Sequence, residues 1–215
     1  ALEKRDLSKV KIMWVNYPHM PTGAKANHAF FERLKNFAEK HSILIVNDNP
    51  YSFILNDEPI SMLAIPGMKD VGIELNSLSK SHNMAGWRIG ALLGQSEFLN
   101  PVLKFKSNMD SGMFLPLQLA AVEALSADAN WFKQQNTIYK SRQKLVFELL
   151  DLLGCAYDQA QSGMFVWAKT PNNFSSGYAL SDQILIENAV FITPGGIFGS
   201  QGNEYIRISL CAKEE

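Results

Sequence analysis

Three stretches decide the architecture: Ile12-Met13-Trp14-Val15, then Asn27-His28-Ala29-Phe30-Phe31-Glu32-Arg33-Leu34-Lys35-Asn36-Phe37-Ala38-Glu39-Lys40-His41, then Ile43-Leu44-Ile45-Val46. The first is a short apolar run, the pattern of a strand buried on both faces. Pro18, Pro21 and Gly23 then punctuate a loop. In the second stretch Phe30, Phe31, Leu34, Phe37 and Ala38 fall at helical spacing. The third is another strand. Strand, helix and strand in this compass predict a βαβ unit with parallel strands and a right-handed crossover. Two further strands are expected around Gly72–Leu75 and Ile89–Leu93.

Downstream, Asn100-Pro101 has the chemistry of a helix start. A second helix is expected from Pro116. A third carries Trp131, Phe132, Ile138, Leu145, Leu149 and Leu152 on its apolar side, as core or dimer seam, with Gly154 as its stop. The last sixty or so residues change character. Gly163–Lys169 and Val190–Thr193 read as strands and Leu180–Asn188 as a helix. In Tyr205–Cys211, Ile206, Ile208 and Leu210 alternate with Tyr205, Arg207 and Ser209. The fold class is therefore α/β, a mostly parallel sheet with flanking helices, followed by a small α+β domain.

Composition narrows the function. The chain has 215 residues, 20 Lys plus Arg against 21 Asp plus Glu, and a net charge of −1. Such a balance argues against a nucleic-acid or membrane-surface binder. A hydrophobic content of 47% with 19% charged residues is that of a globular protein with a real core. No apolar run approaches the length of a transmembrane helix, and no signal peptide is expected. Two cysteines, Cys155 and Cys211, without CxxC spacing form no disulfide framework; they read as small buried hydrophobes in a reducing, cytoplasmic compartment. No metal site is expected.

In open α/β sheets, ligands sit beyond the carboxyl ends of the strands. Asn16 follows the first strand. Asn47, Asp48 and Tyr51 follow the second. Ser77, Ser79 and Lys80 follow the third. An amide with a phenol, a carboxylate, and an amine with hydroxyls thus converge on one edge. A lysine in a desolvated pocket can act as nucleophile or base. Arg88, eight residues beyond Lys80, suits a phosphate.

Four motifs bear a resemblance to a known family. Asn16-x-Pro18-x-x-Pro21-Thr22-Gly23, Asp48-x-x-Tyr51, Ser77-x-Ser79-Lys80 with Arg88 between two glycines, and Arg207 in Tyr205-Ile206-Arg207-Ile208-Ser209 occur in order along the whole chain. Together they resemble the class I/II aminotransferases, pyridoxal-phosphate (PLP) enzymes of fold type I. The first motif departs from the family's N-x-P-x-N-P-T-G at Met20, where the pattern has Asn.

The resemblance implies a site. Lys80 would be the Schiff-base lysine that holds PLP and then serves as general base. Asp48 would pair with the pyridine nitrogen and keep the ring an electron sink. Asn16 and Tyr51 would hydrogen-bond the ring's phenolic oxygen. Ser77, Ser79 and Arg88 would bind the phosphate, and Arg207 would clamp the substrate α-carboxylate. The implied reaction moves an amino group between an α-amino acid and a 2-oxo acid. The commonest family members point to an acidic donor such as aspartate. A homodimer is also implied.

The implied division is residues 1–115 as the second half of the PLP-binding domain, 116–154 as inter-domain helices, and 155–215 as a small domain incomplete at its end. The family is about twice this length, so the resemblance implies a piece of a longer protein. A PLP-dependent C–S lyase on the same scaffold, and an aminotransferase-like ligand-sensing domain of a regulator, are the alternatives these motifs leave open. Outside the motifs, His82 reads as structural and His28 and His41 as solvated. The Gly195-Gly196 and Phe198-Gly199 pairs resemble a family loop near the active site, or form an ordinary tight turn.

Overall fold

The structure, a computed structural model, describes residues 2–212. They form two compact units. The first comprises the residues up to Pro18, Ala26–Phe53 and Asp57–Asn130; the second comprises His19–Lys25, Ile54–Asn56 and the residues from Trp131 on.

The first unit holds β1 (Ile12–Asn16), α1 (His28–His41), β2 (Leu44–Asn49), β3 (Gly72–Ser77), α2 (Leu78–Ser81), β4 (Gly90–Leu93), α3 (Ser96–Met109) and α4 (Leu115–Leu125). Its sheet runs β1-β2-β3-β4. The first two pairings are parallel, as the βαβ reading requires, and β4 returns antiparallel. Asn27 caps α1 by accepting from the Phe30 N–H, and Ser42 ends it in the left-handed region. Phe31, Leu34 and Ala38 of α1 pack with Ile43, Ile45, Met62, Ile65 and Met68, and Met13 and Val15 join this core. A second cluster joins Leu78, Met84 and Ile89 to Ala121 of α4.

Two expectations need correction here. β1 is not buried on both faces: Ile12 and Trp14 are exposed, Trp14 at 65%. α1 covers only the Met13 and Val15 side, and β1 lies at the edge of the sheet. The helix expected to start at Asn100 instead begins at Ser96, and Pro101 falls inside it. Extended backbone at Gln95 and an acidic first turn at Glu97 start α3 one turn earlier, which outweighs the N–H that Pro101 lacks.

The second unit holds most of α5 (Ala129–Leu152), then β5 (Ala156–Tyr157), β6 (Phe165–Lys169), α6 (Gly177–Asn188), β7 (Thr193–Pro194) and β8 (Tyr205–Ser209). Its sheet runs β5-β6-β8-β7 and is antiparallel throughout. Val166, Ala168, Ile206 and Leu210 are buried, so the alternation read in Tyr205–Cys211 holds at Ile206 and Leu210, whereas Ile208 is only half-buried. Cys211 is the exception to the cysteine reading. It lies one position past buried Leu210 and is exposed, whereas Cys155 is buried.

Of the two readings of the leucine side of α5, core or dimer seam, core does not hold within this unit. Tyr139 and Leu150 are buried, while Ile138, Leu145, Leu149 and Leu152 are exposed. Polar anchors share the buried side. Arg142 Nη1 donates to the Leu210 carbonyl at 3.0 Å, and Gln143 Nε2 donates to the Gln161 carbonyl at 3.3 Å. Val190–Thr193 was expected as a strand, but only Thr193–Pro194 pairs with β8.

Burial pushes the Cys155 thiol up to about 11. A thiol-alkylating reagent at pH 8 should therefore modify exposed Cys211 within minutes and leave Cys155 at least about tenfold slower, as peptide mass mapping would read. Because the folded pKa is raised, stability from this group is present below the unfolded value and is lost as pH climbs from about 9 toward 11. The urea midpoint should fall over that window in the parent and not in Cys155→Ala.

Candidate active site

The carboxyl ends of β1, β2 and β3 carry the polar residues singled out above. Asn16 stands opposite Asp48 in the parallel register, and Asp48 stands opposite Leu75. Side chains along a strand alternate, and register partners share a face. Asn16, Asp48 and Ser77 therefore project to one side of the sheet. Asn16 Nδ2 donates to the Asp48 carbonyl at 2.5 Å, which ties the two strand ends together. Tyr51 lies buried in the loop after β2.

Ser77 ends β3 and caps α2, its Oγ accepting from the Ser79 N–H at 3.2 Å. Lys80 rides on α2, half-buried. Arg88 follows at φ 55, exposed, its Nη1 donating to the Ala85 carbonyl at 3.0 Å. Two residues later Gly90 pairs with Ser77. A Cβ on Gly90 would lie 2.6 Å from the Asn76 carbonyl oxygen, so only glycine lets β4 return this closely. The structure thus brings Asn16 to Asp48 and returns the Arg88 segment to Ser77. Arg207 belongs to the second unit, on β8.

The opposite face of the same strand ends is buried and polar. Asn49 Nδ2 donates to Glu74 Oε1 at 2.9 Å. Asn47 Nδ2 donates to Glu74 Oε2 at 3.4 Å, and the Met62 N–H donates to the same oxygen at 2.8 Å. Asn47 Oδ1 in turn accepts from the Tyr17 N–H at 3.2 Å. Glu74 therefore links β2, β3 and the turn at Met62, and through Asn47 the exit of β1. Asp48 sits between the two inward asparagines and must face the other way. It keeps contact with solvent, yet the packing around it raises its carboxyl pKa. Burial lowers the pKa of His82, whose Nδ1 lies 2.8 Å from Ser81 Oγ. His41 departs from its solvated reading: it is half-buried against Phe37, with ring centroids 4.8 Å apart.

The model of the family described as "Aminotransferase class I and II" matches residues 1–215. The chain belongs to that family. It is 40% identical over 217 residues to an LL-diaminopimelate aminotransferase of Dehalococcoides mccartyi, covering 100% of this chain and 56% of that protein. Among solved structures it is similar to the apo form of BacF from Bacillus subtilis, with TM-score 0.92, 38% identity, and coverage of 100% of this chain and 56% of the other. A probable N-succinyldiaminopimelate aminotransferase from Thermus thermophilus matches with TM-score 0.87, 32% identity, and coverage of 94% and 55%. The chain spans about half the length of the curated relatives it matches. Aminotransferases of this family are PLP-dependent. No helix among the described residues is long and apolar enough to cross a membrane.

Sequence reasoning missed the buried partners of these residues. Asn47, one of the strand-end candidates, is instead buried on the opposite face against Glu74, and Asn49 and Glu74 are not singled out by the motifs. The available signal was the flanking of Asp48 by the two asparagines at period 2, with a glutamate in the next strand. It also missed what surrounds Arg207: the faces of Phe165 and Phe198, and Met20, whose Sδ accepts from Arg207 Nη1 at 3.5 Å. Met20 is the position that departs from the family motif.

Two outcomes follow from this geometry. Glu74→Ala leaves two buried amides and a backbone N–H without their acceptor, so it should lower stability by about 3 kcal/mol or more in urea unfolding. For Asp48, a folded pKa above the unfolded one means that the stabilising contribution is complete at acid pH and is lost as pH rises through the raised value. Cofactor-free Asp48→Asn should therefore resist urea better than the parent at pH 7, with the gap closing below about pH 4.

Proposed function

We propose that the protein is a PLP-dependent aminotransferase acting on an α-amino acid and a 2-oxo acid. The observation that carries this reading is the gathering of a carboxylate, an amine and a hydroxyl–guanidinium set at one sheet edge of a family member. The donor set fits PLP. Asp48 is a carboxylate whose pKa burial raises, and a pyridinium beside it would compensate that burial. Ser77, Ser79 and the exposed guanidinium of Arg88 offer donors suited to a phosphate dianion, at a place where Gly90 keeps the backbone close. When bound, PLP supplies the electron sink that makes a Cα–H bond of the substrate acidic.

The chain's residues then divide the work. Lys80 Nζ would hold the cofactor through its aldehyde carbon and, as an amine beside the substrate, would serve as the general base for the Cα proton. Asp48 would keep the ring nitrogen protonated. Asn16 and Tyr51 would hydrogen-bond the ring's phenolic oxygen, Asn16 from a position fixed by its bond to the Asp48 carbonyl. Arg207 binds the α-carboxylate through paired N–H donors.

The relatives named for LL-diaminopimelate favour a long donor with an amino-acid group at its far end over aspartate. A homodimer in the cytoplasm completes the reading. It is supported by exposed apolar residues such as Leu103, Phe105 and Phe114 in the α3–α4 region and by the free thiols.

The decisive experiment uses the whole protein in which these residues lie. Borohydride reduction of the PLP-loaded protein, followed by digestion, should place the cofactor mass on the Lys80 peptide. A tag on another lysine would overturn the assignment. LL-diaminopimelate or aspartate with 2-oxoglutarate should yield glutamate, and Lys80→Ala should lower kcat by at least about 10⁴-fold. Release of pyruvate and ammonia without an oxo-acid acceptor would point to elimination instead.

A further inference from the structure

In the second unit Arg207 Cζ lies over two aromatic rings, 4.1 Å from the centroid of Phe165 and 4.6 Å from that of Phe198. The rings come from separate segments. Phe165 opens β6, and Phe198 sits on the turn Gly195–Phe198. Trp167 pairs across the sheet with Arg207, stacks on Tyr205 at 5.1 Å and 10°, and meets Phe198 edge-on at 6.0 Å and 71°. The turn lies flat against this indole. A Cβ on Gly195 would come within 2.5 Å of Trp167 Cη2, and one on Gly202 within 3.2 Å. Glycine at both positions therefore lets the turn approach closely enough to carry Phe198 onto the arginine.

We infer that Phe165 and Phe198 are positioning residues for Arg207, and that the Gly195-Gly196 turn serves to deliver the second of them. Together they set the affinity for the carboxylate of the amino-acid and 2-oxo-acid substrates. The inference rests on the reading of Arg207 as the carboxylate clamp. Guanidinium is planar and its donors point outward in that plane, so a ring on its face does not compete with a carboxylate for those N–H directions. Holding the side chain against rings removes rotamer freedom before the substrate arrives. Apolar faces beside the charge also strengthen its bonds to an anion.

The test uses the whole PLP-loaded enzyme with Phe165→Leu, Phe198→Leu and Phe198→Tyr. Leucine keeps the bulk and removes the ring; tyrosine keeps the ring. Each leucine variant should weaken calorimetric binding of a non-reacting dicarboxylic acid about tenfold and raise KM by a similar factor, with kcat within about threefold. Turnover of a primary amine lacking the α-carboxylate should not change, and Phe198→Tyr should restore carboxylate affinity. Both rings are half-buried, and Phe198→Met replaces the leucine variant if that one does not fold.

Carboxylate affinity within twofold of the parent in the leucine variants would overturn the inference. So would an equal loss for the amine, which would mark a general packing defect. Arg207→Lys separates the two readings. If it weakens dicarboxylate binding while the leucine variants do not, only the positioning role fails. If it too changes nothing, the clamp itself is misassigned.

Discussion

Glu74 accepts from Asn47, Asn49 and the Met62 N–H inside a sheet face that is otherwise apolar. A buried carboxylate left without such donors would be costly, and so would two buried amides without an acceptor. The three sets of groups are therefore tolerable only together. Their mutual satisfaction holds β2 against β3 in a single register. A slip by one residue would turn both asparagines toward the open face and Asp48 into the core. Everything at the carboxyl edge depends on that register. It sets Asn16 opposite Asp48 and aims Asp48 to the side away from α1.

The two units contribute different electrostatics. The first places a carboxylate, an amine, two hydroxyls and a guanidinium near one edge of its sheet: Asp48, Lys80, Ser77, Ser79 and Arg88. Its closeness of approach comes from a backbone feature, the antiparallel return of β4 over a glycine. In the second, the Arg207 guanidinium lies over the rings of Phe165 and Phe198 and donates to the Met20 thioether.

Where apolar residues ended up differed most from the simple pattern. α5 has leucines on one side and Tyr139 and Leu150 on another, and the side with the polar anchors Arg142 and Gln143 turned inward. From that side Arg142 and Gln143 satisfy the carbonyls of Leu210 and Gln161. Among the described residues β1 likewise leaves Trp14 exposed, α1 packing on the Met13 and Val15 side. Hydrophobicity alone ranks residues for burial, but it does not say which of two apolar faces meets a neighbour.

The amino-acid sequence by itself determined the βαβ unit, the succession of strands and helices along the chain, the alternation in Tyr205–Cys211, and the candidate residues at the strand ends. These follow from local periodicity, turn chemistry and motif spacing, which act over a few residues. Tertiary structure decided the antiparallel turn of β4, the start of α3 at Ser96, the inward side of α5, the Glu74 cluster, and the rings around Arg207. Each of those joins groups far apart in the chain, as Asn47 and Glu74 are, or Phe165 and Arg207. No local rule specifies which distant donor will satisfy a buried acceptor or which ring will cover a charge; only the packed chain brings them within reach.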